Sequence, residues 1–496
     1  MDIQKDYSCL ERNTAVSERT VEAENDYQES LPAYCDDIYK VIKCAATHSI
    51  SSADINYNEV VINGRCHIWL TYLNENGNLC FADFEESFTK TLSVDNLSDK
   101  AFVYAVINEK YVNYRVINQR RIDIHTAAVI DIRIFDTLKC PCILGCDEAK
   151  LKTETVHSAD LIASNISSIE FDEDFMIPAD SQPIKRIVSF SAFASVSDTK
   201  VIKDKALVKG LVNLSVMYTS DTAEEEVLKT EYSFNVSKII DAGGIAENDI
   251  AVSDISVSNV YLKAKVSSGD KMNVISAFGE VSVNTVFIRE TEQQLVCDGY
   301  VLGRKSSCSY SDYSCISDGS YETDHLTETV SVDLSADAQE VKEVNIALTT
   351  PKCRGNKLIA KVNVLTLCRN AEGELITVSG SADLTMPLKD RDEAIASLSL
   401  LSYDYRLAQN GQLELRLNIA ACVFAYRTVN YKVLADIDAD EAALHYPSLT
   451  VYFAKEKESL WSIAKQFSSD AALIARDNNI SGETLDGNKV IIIQRA

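Results

Sequence analysis

Apolar and polar residues alternate with period two through most of this chain. Val208-Lys209-Gly210-Leu211-Val212-Asn213-Leu214-Ser215-Val216-Met217-Tyr218 is one such run, and that period is the mark of a strand with one buried face. Ile122-Asp123-Ile124, Val129 to Ile134 and Leu413 to Ile419 repeat the pattern. Asn74-Glu75-Asn76-Gly77 and Asn370-Ala371-Glu372-Gly373 separate such runs and predict hairpin turns. Long amphipathic helices are scarce until the C-terminus. There Leu460, Ile463, Ala464 and Phe467 fall at i, i+3, i+4 and i+7, with Ser459 as the N-cap. A second helix is predicted over Asp470 to Asp477, burying Leu473 and Ile474 and ending at Asn478-Asn479. Leu449 to Phe453 and, after Gly487, Lys489 to Ile493 are β-branched and aromatic runs that predict flanking strands. The expected fold is mainly β, closed by a small β-α-α-β unit.

Internal repetition organises the rest. Leu31-Pro32-Ala33 and Ile177-Pro178-Ala179 lie 146 residues apart, and at the same offset Ile38 meets Ile184, Val41 meets Ile187, Gly64 meets Gly210, Tyr72 meets Tyr218 and Phe88 meets Phe234. A third, diverged copy overlays Ile68 to Gly77 on Val364 to Gly373, with Ala360 replacing the glycine and Cys368 the tyrosine. The expected organisation is three antiparallel sandwich-like domains over 1–146, 147–292 and 293–438, each with a core of its own. A linker over 439–448 and a terminal unit over 449–496 follow.

The order strand, helix, helix, strand, with Leu460-Trp461-Ser462-Ile463-Ala464, Asn478-Asn479 and Leu485-Asp486-Gly487-Asn488, resembles a LysM domain. That resemblance implies a shallow groove for N-acetylglucosamine-containing glycans such as peptidoglycan. Lys455, Lys457, Glu458 and Ser459 would form one wall, and Asn478, Asn479, Ile480, Asp486, Gly487 and Asn488 the other. The family's Gly-Asp-Thr or Gly-Asp-Ser is here Lys457-Glu458-Ser459. A lysine therefore stands where a missing side chain would let sugar approach the backbone. Trp461 has two roles open to it, packing against the strands or stacking on a sugar. One of Tyr452 and Phe453 must face outward, because neighbours on a strand point to opposite faces, and the outward one is available to a partner.

The whole architecture, three copies with a Pro-containing entry and a C-terminal LysM-like unit, resembles a clostridial family of spore-coat morphogenetic proteins. That resemblance implies a non-enzymatic scaffold of endospore coat assembly in the mother-cell cytoplasm, at the forespore surface. It also implies a tip that holds a protein partner, a coat basal-layer protein of ATPase type, with self-association open to the repeats. The alternative is a peptidoglycan-binding protein of the wall or cortex.

Charge and candidate chemistry narrow the picture without changing it. The net charge of −26, from 74 acidic and 48 basic residues, argues against nucleic acid, whose phosphates require clustered Lys and Arg. Leu449 to Ala496 carries six residues of each sign, so the negative charge belongs to the repeats. The polar opening Met1-Asp2-Ile3-Gln4-Lys5-Asp6-Tyr7 predicts no secretion signal, and no apolar run is long enough to span a membrane. Fourteen cysteines without framework spacing fit a reducing compartment, with Cys66, Cys368 and Cys422 inside strand patterns as small hydrophobes. Cys140-Pro141-Cys142 with Cys146, helped by His125 or His157, is the one candidate zinc cluster, against a reading as linker thiols between two copies. Cys308, Tyr310, Tyr313, Cys315 and Tyr321 are expected in a Ser/Tyr/Asp-rich loop suited to crosslinking. Glu224-Glu225-Glu226 is expected in a solvated loop, and Asp241-Ala242-Gly243-Gly244 in a turn. The six histidines, among them His48, His67, His325 and His445, form no catalytic motif, and no nucleophile elbow or phosphate loop is present. No cofactor is implied, and no enzyme.

Overall fold

A computed structural model describes residues 4–494 except 223–225, 268–270, 335–337, 390, 409–410, 444–446 and 448. Glu224, Glu225 and His445 therefore lie outside the described residues, as does part of the expected linker. The fold is antiparallel β throughout, followed by the β-α-α-β tip.

Each copy follows one plan. In the first, Lys40–Asn56, Glu59–Leu73 and Leu79–Ser93 form a three-stranded meander. The long strand Arg121–Cys146 then pairs with Phe102–Asn118 on one side and with the opening strand Lys5–Ser30 on the other. The second copy repeats this with Ile184–Ile202, Lys205–Ser220 and Val227–Asp241 as the meander, and with Met272–Val301 between Ile250–Val266 and Ala149–Met176. The third uses Ala338–Leu348, Lys357–Asn370 and Leu375–Pro387, then Gln412–Ala443 between Glu393–Leu407 and Arg304–Asp333. The expected divisions at 292/293 and 438/439 fall inside the strands Met272–Val301 and Gln412–Ala443. Turns at Asp147-Glu148 and Leu302-Gly303 separate the long strands instead, and we place the limits of the copies there.

Local chemistry explains the turns. Gly77 and Gly373 sit at φ +78° and +82° and donate to Asn74 O and Asn370 O, each at 3.0 Å. Only glycine adopts that conformation freely. The Gly64 position is set by packing, since a Cβ there would lie 2.2 Å from the Phe88 ring.

The copies do not stand apart. Each first meander strand carries a bulge at the same place, between Val41 and Lys43, Ile187 and Ser189, and Val341 and Glu343. A bulge re-aims the residue that follows it, and here all three converge. Lys43 Nζ lies 3.2 Å from Ser189 Oγ and 2.9 Å from Glu343 Oε2, and Ser189 Oγ donates to that same oxygen at 2.8 Å. The Lys43 and Glu343 side chains are 0% and 2% exposed. Thr71 Oγ1 donates to Val188 O and Thr377 Oγ1 to Ile42 O, joining the first copy to the second and the third, while Ser189–Glu343 joins the second to the third. Ile42, Val188, Met217 and Leu367 form an apolar layer beside the triad. Phe135, Leu161, Ile288, Ile395 and Phe424 form another layer drawn from all three copies. The expectation of a separate core in each domain thus needs correction. Each copy has apolar clusters of its own, but the cores merge where the copies meet.

The bulk of the cost of this arrangement is desolvation, which the Lys43–Glu343 attraction offsets only while both partners are present. Lys43→Met should lower the unfolding free energy by about 3–5 kcal/mol by stranding Glu343, and the double variant Lys43→Met/Glu343→Leu should recover most of that. Urea unfolding of the three proteins checks it.

Candidate functional site

The tip pairs Leu449–Ala454 with Lys489–Gln494 and packs two helices on one face of that ribbon, α1 (Leu460–Phe467) and α2 (Ala471–Asp477). Ser459 caps α1 by accepting from Ser462 N at 3.1 Å, and Asp470 caps α2 by accepting from Ala472 N at 2.8 Å. Leu460, Ile463, Ala464 and Ile474 are buried against Ile491 and Ile493, whereas Leu473 is half-buried.

The two expected groove walls are joined along one side. Lys457 N donates to Leu485 O, Leu485 N to Glu458 O, and Leu460 N to Glu483 O, all between 2.9 and 3.1 Å. Asn488 Oδ1 accepts from Glu456 N at 2.9 Å. Several expected sugar-facing groups are occupied inside the protein. Glu458 accepts from Tyr452 OH at 2.7 Å and from Lys455 N at 2.9 Å. Asn478 spans α2 and the last strand, donating to Ile474 O and Ile492 O and accepting from Ile492 N at 2.7 Å. Lys455, Lys457, Asn479, Asp486 and Asn488 are exposed, while Ser459, Ile480 and Gly487 are half-buried. Lys457 holds φ +65° and Asn479 φ +52°. Asparagine tolerates that region; lysine does so at a cost.

The side of the tip away from these loops is seated on the second and third copies. Asp298 accepts from Trp461 Nε1 and Tyr310 OH, each at 2.8 Å, and pairs with Lys465. Tyr300 is fully buried in the tip's own core, its hydroxyl donating to Ser469 O at 2.8 Å. Gly303 N donates to Ser468 O at 2.8 Å, Ser468 Oγ to Arg304 O at 2.9 Å, and Lys150 pairs with Asp470 at 2.8 Å. Trp461 thus takes the packing role, half-buried against the tip's core, but the strand residue it meets edge-on is Tyr300 of the second copy, ring centres 5.0 Å apart. Burial alone would raise the Asp298 carboxyl, but its bonds from Lys465, Trp461 and Tyr310 hold it below the ordinary range. The Lys150 ammonium lowers Asp470, and burial pushes the Tyr300 phenol up to about 12.

The ribbon's outer face is apolar. Leu449, Val451, Phe453, Val490 and Ile492 are 40–75% exposed, with Val451 opposite Ile492 and Phe453 opposite Val490. Phe453 is the outward member of the Tyr452–Phe453 pair; Tyr452 turns inward onto Phe467.

With that geometry in hand, the comparisons with known proteins are specific. Residues 37–117 and 183–265 match the family model described as SipL, SPOCS domain. Residues 452–494 match the LysM domain. Two segments of the chain are thus similar to the SPOCS domain and its tip to the LysM domain. The SPOCS matches cover the meander and the strand after it in the first two copies, and together with the LysM match they agree with the resemblance read from the sequence. No match was found among curated proteins or among solved structures. The two domain families mark a sporulation-related chain with a peptidoglycan-type binding module, and both are non-catalytic families.

Other expected clusters disperse. Cys140 and Cys142 lie buried inside the strand Arg121–Cys146 against Tyr313 and Cys315, not in a linker. His125 is bound to Asp26 and Tyr111, and His157 stands exposed beside Glu292. Among the described residues no three metal-type ligands gather. The expected crosslinking loop is the strand Arg304–Asp333, because its Ser/Tyr alternation is a period-two pattern; Tyr313 is 1% exposed. Among the described residues no helix is long and apolar enough to cross a membrane. Asp298 and Tyr300, central to the seat, had no signal in the sequence, since they sit in an ordinary strand of the second copy.

Two outcomes test this description. Lys457→Gly should raise the tip's stability by about 1 kcal/mol by removing the left-handed strain, read as slower hydrogen exchange in α1. A carboxyl lowered on folding contributes stability above its ordinary pKa, and that contribution is lost as pH falls through the lowered value. Protection of α1 should therefore hold at pH 5 and fail on acidification below about pH 4, and Asp298→Ala should weaken it at neutral pH.

Proposed function

We infer that this chain is a non-enzymatic scaffold of endospore coat assembly, whose LysM tip binds a protein partner rather than glycan. The observation that carries this is the state of the tip. Glu458, Ser459, Asn478 and Asn488 spend polar groups on partners inside the protein, and Lys457 stands where the LysM resemblance implies a glycine. The outer ribbon face around Val451 and Phe453 meanwhile stays open and apolar, the character of a protein contact. In this reading the acidic ring of three copies sets spacing and self-association. The partner is a basal coat-layer protein of ATPase type, met in the mother-cell cytoplasm at the forespore surface.

The glycan reading rests on the LysM match and on the exposed side chains of Asn479 and Asp486 among the expected groove residues. Because Tyr300 completes the tip's core, both readings are tested on the full chain. Phe453→Glu should reduce capture of the basal coat-layer ATPase at least tenfold, while wild-type chain leaves peptidoglycan sacculi unbound. Firm retention on sacculi, competed by chitin oligomers and indifferent to Phe453→Glu, would make this a glycan-anchored protein instead.

A further inference from the structure

The axis of the ring is not filled beyond the buried triad. Immediately after Lys43, Ser189 and Glu343, the segments Cys44–Thr47, Phe190–Phe193 and Val344–Ala347 draw apart and wall a half-open cavity of about 610 Å³. That volume lies within the range of small-ligand sites. Every copy contributes a wall, so the cavity exists only in the closed ring.

Its lining is chemically particular. The deep wall is aromatic: Trp69 and Phe190 have ring centres 5.1 Å apart, and His67 and Trp69 5.6 Å. Toward the mouth stand Tyr111 and Tyr403, half-buried, with the amides Asn113, Asn345 and Asn363 and the hydroxyls of Ser379 and Ser381. The charged side chains in the wall are already engaged. Glu109 is held by the buried His48 at 2.7 Å and Lys110 pairs with Glu22 at 2.8 Å, while His67 Nε2 stands 3.6 Å from the Asp83 carboxylate, near it but not hydrogen-bonded to it. Three buried side-chain nitrogens of lining residues, His67 Nε2, Trp69 Nε1 and Asn345 Nδ2, have no hydrogen-bond partner within the described chain. Buried donors are rarely left so.

Each observation removes a class of ligand. Without an unpaired cation a phosphate or carboxylate gains nothing here, and without an unpaired anion neither does an amine. Amides and hydroxyls in the wall disfavour a lipid tail. What remains is a neutral molecule with apolar ring faces and a rim of groups that both accept and donate. We propose that the axial cavity binds a neutral saccharide of about two rings, its C–H faces on the aromatic wall and its hydroxyls on Asn113, Asn345, Asn363 and Ser381. This site is separate from the tip and does not depend on the tip's partner.

The chain itself supplies the probe. Trp69 and Trp461 are its two tryptophans, so Trp461→Phe leaves Trp69 as the sole reporter. Titration of that full-length variant with cellobiose and with N,N′-diacetylchitobiose should give a saturable change in Trp69 emission for at least one of them. Ser381→Phe, at an exposed position of the mouth, should weaken that response at least tenfold without moving the thermal transition. Should Trp461→Phe fail to fold, fluorine NMR of the wild-type chain carrying 5-fluorotryptophan reads Trp69 separately. A folded chain in which neither sugar perturbs Trp69 overturns the proposal, as does a response that Ser381→Phe leaves intact. Sugar binding detected by calorimetry with Trp69 silent also overturns it, by assigning the sugar to the tip.

Discussion

Three copies of one fold can form a single body only if something fixes which surfaces meet, and here a lone buried ammonium does so. Lys43 reaches Ser189 and Glu343 at equivalent positions of the other two copies, each presented by the same bulge. A closed set of lysine, serine and glutamate cannot be rebuilt by copies of one kind: three lysines or three glutamates on that axis would bury uncompensated like charge. The divergence of the repeats is therefore part of the assembly. It makes the ring intramolecular and gives each copy one place in it. The apolar layers on either side then merge, and the axial cavity follows from the segments that leave the triad.

The tip depends on the ring in turn. A small domain buries too little surface to be securely stable by itself, and this one borrows Tyr300 from the second copy for its core. Asp298, bound by Trp461, Tyr310 and Lys465, fixes its orientation. The seat occupies one side, the joined loops another, and the apolar ribbon face is what remains.

Much of this was legible in the chain. Period-two alternation, glycine turns and the 146-residue offset are local or repetitive signals, and they predicted strands, hairpins and tandem copies. The helices of the tip and their caps were equally plain, because i, i+3, i+4 spacing and a capping serine act within one turn. The reading failed where the deciding contact is long-range. The ladder of Arg304–Asp333 with Gln412–Ala443 spans about a hundred residues of sequence, so its serine-rich strand resembled a loop. The division at 292/293 failed for a related reason: the strand Met272–Val301 continues to its turn past the point where repetition fades. Trp461 packs on a residue far away in sequence, which no local pattern could report. The triad is hidden because serine, lysine and glutamate at a repeat offset look like drift until the bulges bring them together.

The strand Met272–Val301 runs from the middle of the second copy to Tyr300 inside the tip. A pull applied to the tip enters that strand along its length, against Ala149–Met176 throughout and against Ile250–Val266 as well from Ile288 inward, the arrangement in which many bonds must break at once rather than one after another. Tension on the tip would therefore pass into the body of the three copies instead of being absorbed by a loose tether.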